Sequence, residues 1–473
     1  MIYIYMDGHD RMNDVQTAVQ IFMPNEKYKP VDGIQDEGIT VRSFLNGDRA
    51  VAELYENGAP VCSETAEVNE EGEGYALKAA VYNMLKKRSS YIPPWGMMTG
   101  IRPAKKANAY MDEGLTPEES AGKLTRLYEA SHEKADLAVE VALAERNILK
   151  KAHPNGVSLY VGIPFCPTRC LYCSFTSYPL DKYRDRVDAY LDALIKELRF
   201  LGEKAEGKHL DSIYIGGGTP TSLSAEQLKR LMGAIGDIFD LSGLMEYTVE
   251  AGRPDTITPD KLRAIKDGGA GRISINPQTM NEKTLRLIGR AHTVEDIRRV
   301  YYQARETGHE NINMDLILGL PEEGEAEVTK TMEDIAELAP ENLTVHTLAV
   351  KRASRLRENL GDYDLTKAVL MEKMIDISSF GARNMGLHPY YMYRQKNMLG
   401  SFENVGYAKK GFESFYNVVI MEETQTIFAA GAGASTKLCD PVSGRIDRIF
   451  NVKNVDEYIA RIDEMIDRKR KGM

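Results

Sequence analysis

From residue 157 onward the chain alternates short β-rich runs with longer amphipathic stretches, and this rhythm limits the fold more than any other feature. The runs are VSLYVGI (157–163), SIYIGGG (212–218), EYTVEAG (246–252), RISINPQ (272–278), NINMDLILG (311–319) and NLTVHTLAV (342–350). Between the first two, Val187, Tyr190, Leu191, Leu194, Ile195 and Leu198 fall on one face of a helix over 181–203. Six strands alternating with helices predict a parallel α/β domain. Asp315 aside, the strand interiors read as largely apolar, as in strands covered on both sides. The pattern fits an open doubly wound sheet or a partial barrel equally well.

The flanks read differently. Residues 39–46 and 49–55 predict two strands joined at Gly47-Asp48. Glu64, Glu67, Glu70, Glu71 and Glu73 predict a solvated loop, and 75–88 a helix broken by Pro93-Pro94-Trp95-Gly96. A helical stretch over 116–151 stops at His153-Pro154-Asn155-Gly156, which sets a boundary. After about residue 385, PYYMYR, YNVVIM and QTIFAAGAGAST predict strands and 455–468 a last helix. The expected division is an α+β N-terminal domain over 1–150, an α/β core over 151–385 and a small α+β extension over 386–473.

The 60 basic and 70 acidic residues leave a net charge of −10, which argues against an extensive nucleic-acid surface. No apolar run approaches the ~18 residues of a spanning helix. The start, MIYIYMDGHD, lacks a basic leader, so a cytoplasmic location is expected. Five cysteines are too few for a disulfide framework, and Cys62 and Cys439 read as ordinary core or surface residues.

The other three, Cys166, Cys170 and Cys173, stand in CPTRCLYC directly after the first core strand. Loops at the C-terminal ends of parallel strands build active sites. Three thiolates can hold three irons of a 4Fe-4S cluster and leave the fourth open, because cysteine-only ligation takes four. The alternative is a structural zinc site with a fourth ligand from elsewhere, although no second cysteine pair accompanies it.

CxxxCxxC after a first strand resembles the signature of the radical SAM enzymes. SLYVGIPFC, around Tyr160, resembles the oxygen-independent coproporphyrinogen III oxidase (HemN-like) family, and the resemblance runs over about 157–440. WGMMTGIRPAKK and YYMYRQKNMLGSFENVGYA resemble its coproporphyrinogen dehydrogenase HemZ subgroup. The resemblance implies a six-stranded parallel partial (βα)6 barrel, with a 4Fe-4S cluster on Cys166, Cys170 and Cys173. It also implies one S-adenosylmethionine (SAM), or two. By the same resemblance Tyr160 lies near the sulfonium and Tyr172 packs on adenine. Gly217, Gly218 and Thr219 meet the methionine amino group. Glu250, Gln278, Arg290, Asp315 and Ala349 complete the SAM contacts. The residues themselves agree: glycine lets backbone approach a ligand closely, and an acid such as Asp315 in an apolar strand demands a partner.

The implied reaction is radical oxidative decarboxylation of two propionates of coproporphyrinogen III to give protoporphyrinogen IX. Its partners are a tetrapyrrole substrate and an electron donor such as flavodoxin or ferredoxin, and no acid–base residue is demanded. Two positions depart from the oxidising members. Phe175 stands where they carry a further cysteine, and Gly162 where they carry a histidine. The cysteine-to-phenylalanine change is shared with the related heme chaperones. Their HNxxYW signature is reduced here to Tyr416-Asn417-Val418-Val419-Ile420-Met421. The alternatives are therefore anaerobic heme degradation or methylation, a non-catalytic heme carrier with the cluster, and a zinc-stabilised binding module. Lys351, Arg352, Arg355, Arg357, Arg394 and Lys396 are cations that could hold propionates, or a solvated run. His292, His346 and His388 read as heme ligands, proton relays or structural histidines. Trp95 and TGIRPAK have no role derivable from the sequence.

Overall fold

The structure is a computed structural model that describes all residues except 25, 174–176, 349–364, 395–401 and 441–442, together with the side chains of 365–367. The chain divides into two compact units. One is built mainly from Met1–Val139 and includes Arg394 and Glu403; the other takes most of the chain from Glu140 onward.

The first unit holds β1 (Ile2–Asp7), β2 (Tyr28–Val31), β3 (Ile39–Asn46), β4 (Arg49–Glu56) and β5 (Ala59–Glu67) in one sheet, ordered β2-β1-β3-β4-β5. Gly47, at φ 63, turns β3 into β4, with Asn46 opposite Arg49. β1 was not anticipated, although Ile2 and Ile4 alternate with more open neighbours as a half-buried strand requires. Helices Met12–Phe22 and Glu73–Lys86 pack on the sheet and bury Ile4, Val15, Val41, Leu54, Leu77 and Val81. The acidic stretch is not simply a solvated loop. Glu64 and Glu67 lie on β5, at the edge of the sheet, where charge is tolerated. Glu71 accepts from Lys106 (2.7 Å), Tyr110 (2.8 Å) and Tyr128 (2.9 Å). The 116–151 stretch forms two helices, Pro117–Tyr128 and His132–Leu149, because Glu129 takes a left-handed φ of 53°.

Trp95 is fully buried and donates to Glu403 Oε2 (2.6 Å), whose other oxygen accepts from Lys134 (2.6 Å). Arg394 is buried with its guanidinium over the Trp95 ring and donates to the Met98 carbonyl. It therefore serves this unit's packing and not a propionate site. Lys351, Arg352, Arg355, Arg357 and Lys396 lie outside the described residues.

The second unit is organised on β6 (Gly156–Ile163), β9 (His209–Gly217), β10 (Glu246–Gly252), β11 (Arg272–Ile275), β12 (Asn311–Leu318) and β13 (Asn342–Thr347), six parallel strands side by side in chain order. A two-stranded ribbon, β7 (Phe165–Cys166) with β8 (Tyr178–Pro179), stands apart. The same sheet is extended by β14 (His388–Arg394) and β15 (Glu403–Ala408) at one edge. At the other edge are β16 (Thr426–Ala430), β17 (Ser435–Cys439) and β18 (Ile446–Phe450). The connecting helices include Val187–Ala205, Ala225–Ile238 and Val294–Glu306, the last two started by capping boxes at Ser224/Gln227 and Thr293/Asp296.

YNVVIM is helical, not a strand. Phe415–Glu422 is capped by Ser414 Oγ, which accepts from the Asn417 N–H (3.2 Å), and so short and largely apolar a run carries no period to separate the two states. The strand interiors are also less apolar than expected. Leu159, Ile213, Val249, Ile273, Met314 and Val345 carry one face of the sheet. The other face carries Ser158, Tyr160, Ser212, Tyr214, Thr248, Glu250, Arg272, Ser274, Asn313, Asp315, Thr344 and His346, which the register brings level: Tyr160 with Tyr214, Tyr214 with Thr248, Thr248 with Arg272. The alternation has the two-residue period of a strand with two unlike faces.

Candidate cofactor site at the strand ends

Cys166 lies on β7, just beyond the C-terminal end of β6, and Cys170 and Cys173 follow on the loop. The loop is tied by Cys173 N–H to the Cys170 carbonyl (3.2 Å) and by Leu171 N–H to the Ile288 carbonyl (3.0 Å). Burial pushes the Cys166 thiol up to about 11, against the pull of Thr219, whose hydroxyl lies 3.4 Å from the sulfur. Arg253, beyond the end of β10, clamps the loop. Its Nη1 donates to Thr168 Oγ1 (2.7 Å) and lies 3.7 Å from Cys170 Sγ, while Nε and Nη2 donate to Asp255. Burial opposes ionisation of Asp255, yet His292 and Arg253 hold it well below the usual carboxylate range. Arg253 was not singled out from the sequence. Its only signal is its place one residue past a strand end.

The glycines of GGGTP leave β9 against the same loop. Gly217 has φ 108°, and Gly218 N–H donates to the Ile163 carbonyl (2.7 Å). A Cβ on Gly218 would stand 2.6 Å from the Phe165 oxygen and 3.1 Å from Cys166 Sγ, so only glycine fits. Tyr160 lies beside them: a Cβ on Gly217 would stand 3.2 Å from its hydroxyl. Tyr160, Gly162, Pro164, Gly217 and Ala432 line a small cavity here.

Glu250, on β10, accepts from the Tyr214 hydroxyl (2.5 Å), and burial pushes its carboxyl up to about 7, with Asp315 adding to the shift. Asp315 accepts from Asn313 Nδ2 (2.7 Å) and lies 3.8 Å from His346 Nε2. Burial works against its ionisation, but His346, Asn313 and Arg272 outweigh it and keep it below its ordinary value. Gln278 sits at φ 70°, bridged to β12 through Asp315 and Ile317, and its Oε1 is buried without a hydrogen-bond partner among the described residues. Arg290 Nη2 donates to the Tyr172 hydroxyl (2.8 Å), while its Nε is likewise unpartnered. Ala349 and Phe175 lie outside the described residues. Of the three histidines, His292 is buried beside Asp255, His346 faces Asp315, and His388 is exposed at the start of β14.

Tyr214, Arg272 and His346 complete the polar face, and the sequence reading gave the first two no role. The alternation S-Y-G in β6 and β9, and R-S-N at 272, 274 and 276, was the signal available. Three soft thiols on one loop have the chemistry to hold iron–sulfur or zinc. A glycine cradle, with orphaned Gln278 Oε1 and Arg290 Nε nearby, suits a polar organic ligand beside them.

Residues 160–335 match the Radical SAM superfamily. The chain is 40% identical over 394 residues to the oxygen-independent coproporphyrinogen-III oxidase-like protein HemZ of Bacillus subtilis (strain 168), spanning 82% of this chain and 79% of that protein. This chain belongs to the HemN/HemW family of radical SAM proteins. Membership implies a 4Fe-4S cluster and SAM, and the site residues fit both. The family also holds the heme chaperone HemW of Bacillus subtilis, 34% identical over 308 residues, 65% of this chain and 76% of that one. The fold matches that of the radical SAM coproporphyrinogen III oxidase (HemN) from Escherichia coli, with a TM-score of 0.53 at 22% identity over 69% of this chain and 73% of that one. Among the described residues no helix is long and apolar enough to cross a membrane.

Proposed function

We propose that this radical SAM protein catalyses oxygen-independent decarboxylation of a coproporphyrinogen-type tetrapyrrole, with Cys166, Cys170 and Cys173 as the cluster ligands. The six parallel strands are read as the partial barrel, and the observation that carries the proposal is the convergence of the cysteine loop, the Gly217–Gly218 cradle and Glu250 at their C-terminal ends. Cluster and SAM, when bound, supply a primary carbon radical able to take a hydrogen from an unactivated carbon.

The protein's own part is binding and orientation. Tyr160, Gly217, Gly218, Thr219 and Glu250 would hold the methionine end. Tyr172, fixed by Arg290, would pack on the adenine. Gln278, Asp315 and Ala349 would complete the contacts to one SAM or two. The largely buried polar face beneath would limit bulk water around the reacting atoms, with His346 beside Asp315. In the substrate, hydrogen leaves the propionate carbon β to the carboxylate. Carbon dioxide and one electron then depart, leaving a vinyl group. Flavodoxin or ferredoxin would reduce the cluster, and a one-electron acceptor takes the electron from the product.

Phe175, a change shared with the heme chaperones, and the kinship to one of them favour a second reading as a heme carrier, against which the reduced HNxxYW signature at 416–421 counts. The deciding experiment is anaerobic: reconstitute the cluster, reduce with dithionite, add SAM and coproporphyrinogen III, and weigh the products. Deoxyadenosine with a product lacking two carboxyl groups is expected. Deoxyadenosine with unchanged porphyrinogen removes the substrate and turns attention to heme degradation or methylation. Stoichiometric heme binding without turnover supports the carrier.

A further inference from the structure

At the opposite end of the strands from the cysteine loop, where β6 and β9 begin, two histidines meet one carboxylate. His153 lies in the HPNG turn ahead of β6; His209 and Asp211 open β9. His153 Nδ1 is 2.8 Å and His209 Nδ1 2.7 Å from the same oxygen, Asp211 Oδ1. The three donor atoms all lie within 4.8 Å of one another, close enough for one ion to reach them together. We propose that His153, His209 and Asp211 form a second metal site, for a divalent first-row ion such as zinc, independent of the cysteine loop.

Four features favour a built site over a chance contact. First, the two imidazole rings lie side by side, with centroids 3.4 Å apart and 20° between planes, and both bring Nδ1 against Asp211 Oδ1; a turn of the more exposed His153 ring would point both nitrogens at one ion. Second, Asp211 is fully buried, and its other oxygen is already occupied. Oδ2 accepts from Gln425 Nε2 (2.6 Å) and from the His153 N–H (3.2 Å), which turns Oδ1 toward the rings. Gln425 is itself oriented by Ser158, and Ser158 by Ser212, at 2.7 and 2.8 Å. Hydrogen-bonded outer partners of this kind orient metal ligands.

Third, the backbone is kept bare around the cluster. A Cβ on Gly156 would stand 2.1 Å from Asp211 Oδ2, and one on Gly243 2.2 Å from His209 Nε2. The second contact turns the back of the His209 ring toward the backbone and leaves Nδ1 on the ligand side. Fourth, the His153 side chain is 42% exposed and that of His209 27%, so an ion can enter and water can fill the remaining position. Two imidazoles, one carboxylate and an open position make a donor set suited to zinc or to ferrous iron.

The cysteine loop leaves the far end of β6, eight residues on, roughly 25 Å away at ~3.3 Å per strand residue. An ion here would take no part in radical chemistry. It would join the turn before β6 to the start of β9, two strands whose other ends carry the cysteines and the glycine cradle, and so act as a clip on the base of the site.

The test is a zinc titration of the full-length, cluster-loaded protein under anaerobic conditions, against a competing chelator. The expected result is one zinc per chain beyond the iron. X-ray absorption at the zinc edge should show nitrogen and oxygen neighbours near ~2.0 Å and no sulfur. His153→Ala, at an exposed position, should weaken uptake about 100-fold or more, and His153→Cys should largely restore it, because a thiolate is a good zinc ligand and a poor replacement for an imidazole hydrogen bond. Absence of zinc uptake by the wild-type protein would overturn the site. So would uptake that is unchanged in both His153→Ala and Asp211→Asn, since the ion would then lie elsewhere.

Discussion

The Arg253 guanidinium stands 3.7 Å from the Cys170 sulfur while Asp255 holds its other edge at 2.7 Å. Arg253→Ala removes the clamp and leaves the partly exposed Asp255 carboxylate with His292 beside it. Breaking such a pair costs about 3 kcal/mol, the low end of the usual range because Asp255 keeps some solvent contact. With Cys170 as a cluster ligand, as proposed, losing a positive charge beside it also makes the cluster harder to reduce. Urea unfolding and a redox titration followed by EPR should show both changes. Arg253→Lys should recover part of the potential and little of the stability, because a lysine cannot fork onto Asp255.

Gly218→Ala places a methyl group 2.6 Å from the Phe165 carbonyl oxygen and 2.9 Å from that of Ile163. Both are backbone atoms, so relief must come from parting β9 from β6 and the cysteine strand. A loss of about 1–3 kcal/mol is expected, with iron content after reconstitution falling alongside. Gly233→Ala, on the Ala225–Ile238 helix with open space around it, should cost nothing and serves as the control.

Glu250 ties stability to pH in an unusual direction for an acid. Burial raises its folded-state ionisation from the ordinary 4.5 to about 7. Between those values the folded chain holds a proton that the unfolded chain has lost. The associated stability is complete below about pH 4.5 and disappears as pH rises through 7. In the cofactor-free protein, Glu250→Gln should therefore match the wild type near pH 4 and exceed it at pH 8 by up to about 3 kcal/mol. Denaturant unfolding at several pH values checks this; equal stability at pH 8 would contradict it.

Tyr172 and Arg290 form one unit, joined at 2.8 Å. Tyr172→Phe keeps the aromatic face proposed to meet adenine but leaves Arg290 Nη2 without that partner, at a cost of about 1–3 kcal/mol. SAM affinity should fall modestly in Tyr172→Phe and much further in Tyr172→Ala, because only the second loses the stacking face. Equilibrium binding of SAM to the reconstituted protein separates the two. Equal losses would mean that the hydroxyl, not the ring, does the binding.

The six parallel strands and the cysteine loop were legible because each is a local signal. A strand reports its own solvent pattern, and CPTRCLYC carries its spacing within eight residues. The failures were of two kinds. YNVVIM, with one polar side chain in six residues, is too short to show a period and was placed in the wrong state. Asp315 stood out as a lone acid in an apolar run, but the polar face it belongs to was overlooked, because apolar neighbours such as Met314 and Leu316 mask Asn313 in a reading that weighs whole runs.

By itself the sequence determined the alternation of strand and helix, the three-thiol loop after the first core strand, and the glycines that follow the second. Short-range patterning sets these, since side chains within a strand or turn already declare which side meets water. Only the tertiary structure decided which distant residues meet. Arg253 reaches Cys170 across 83 positions, and His153 reaches Asp211 across 58. Such contacts depend on strand order and register, which arise when separate segments bury their apolar faces together and which no single segment encodes.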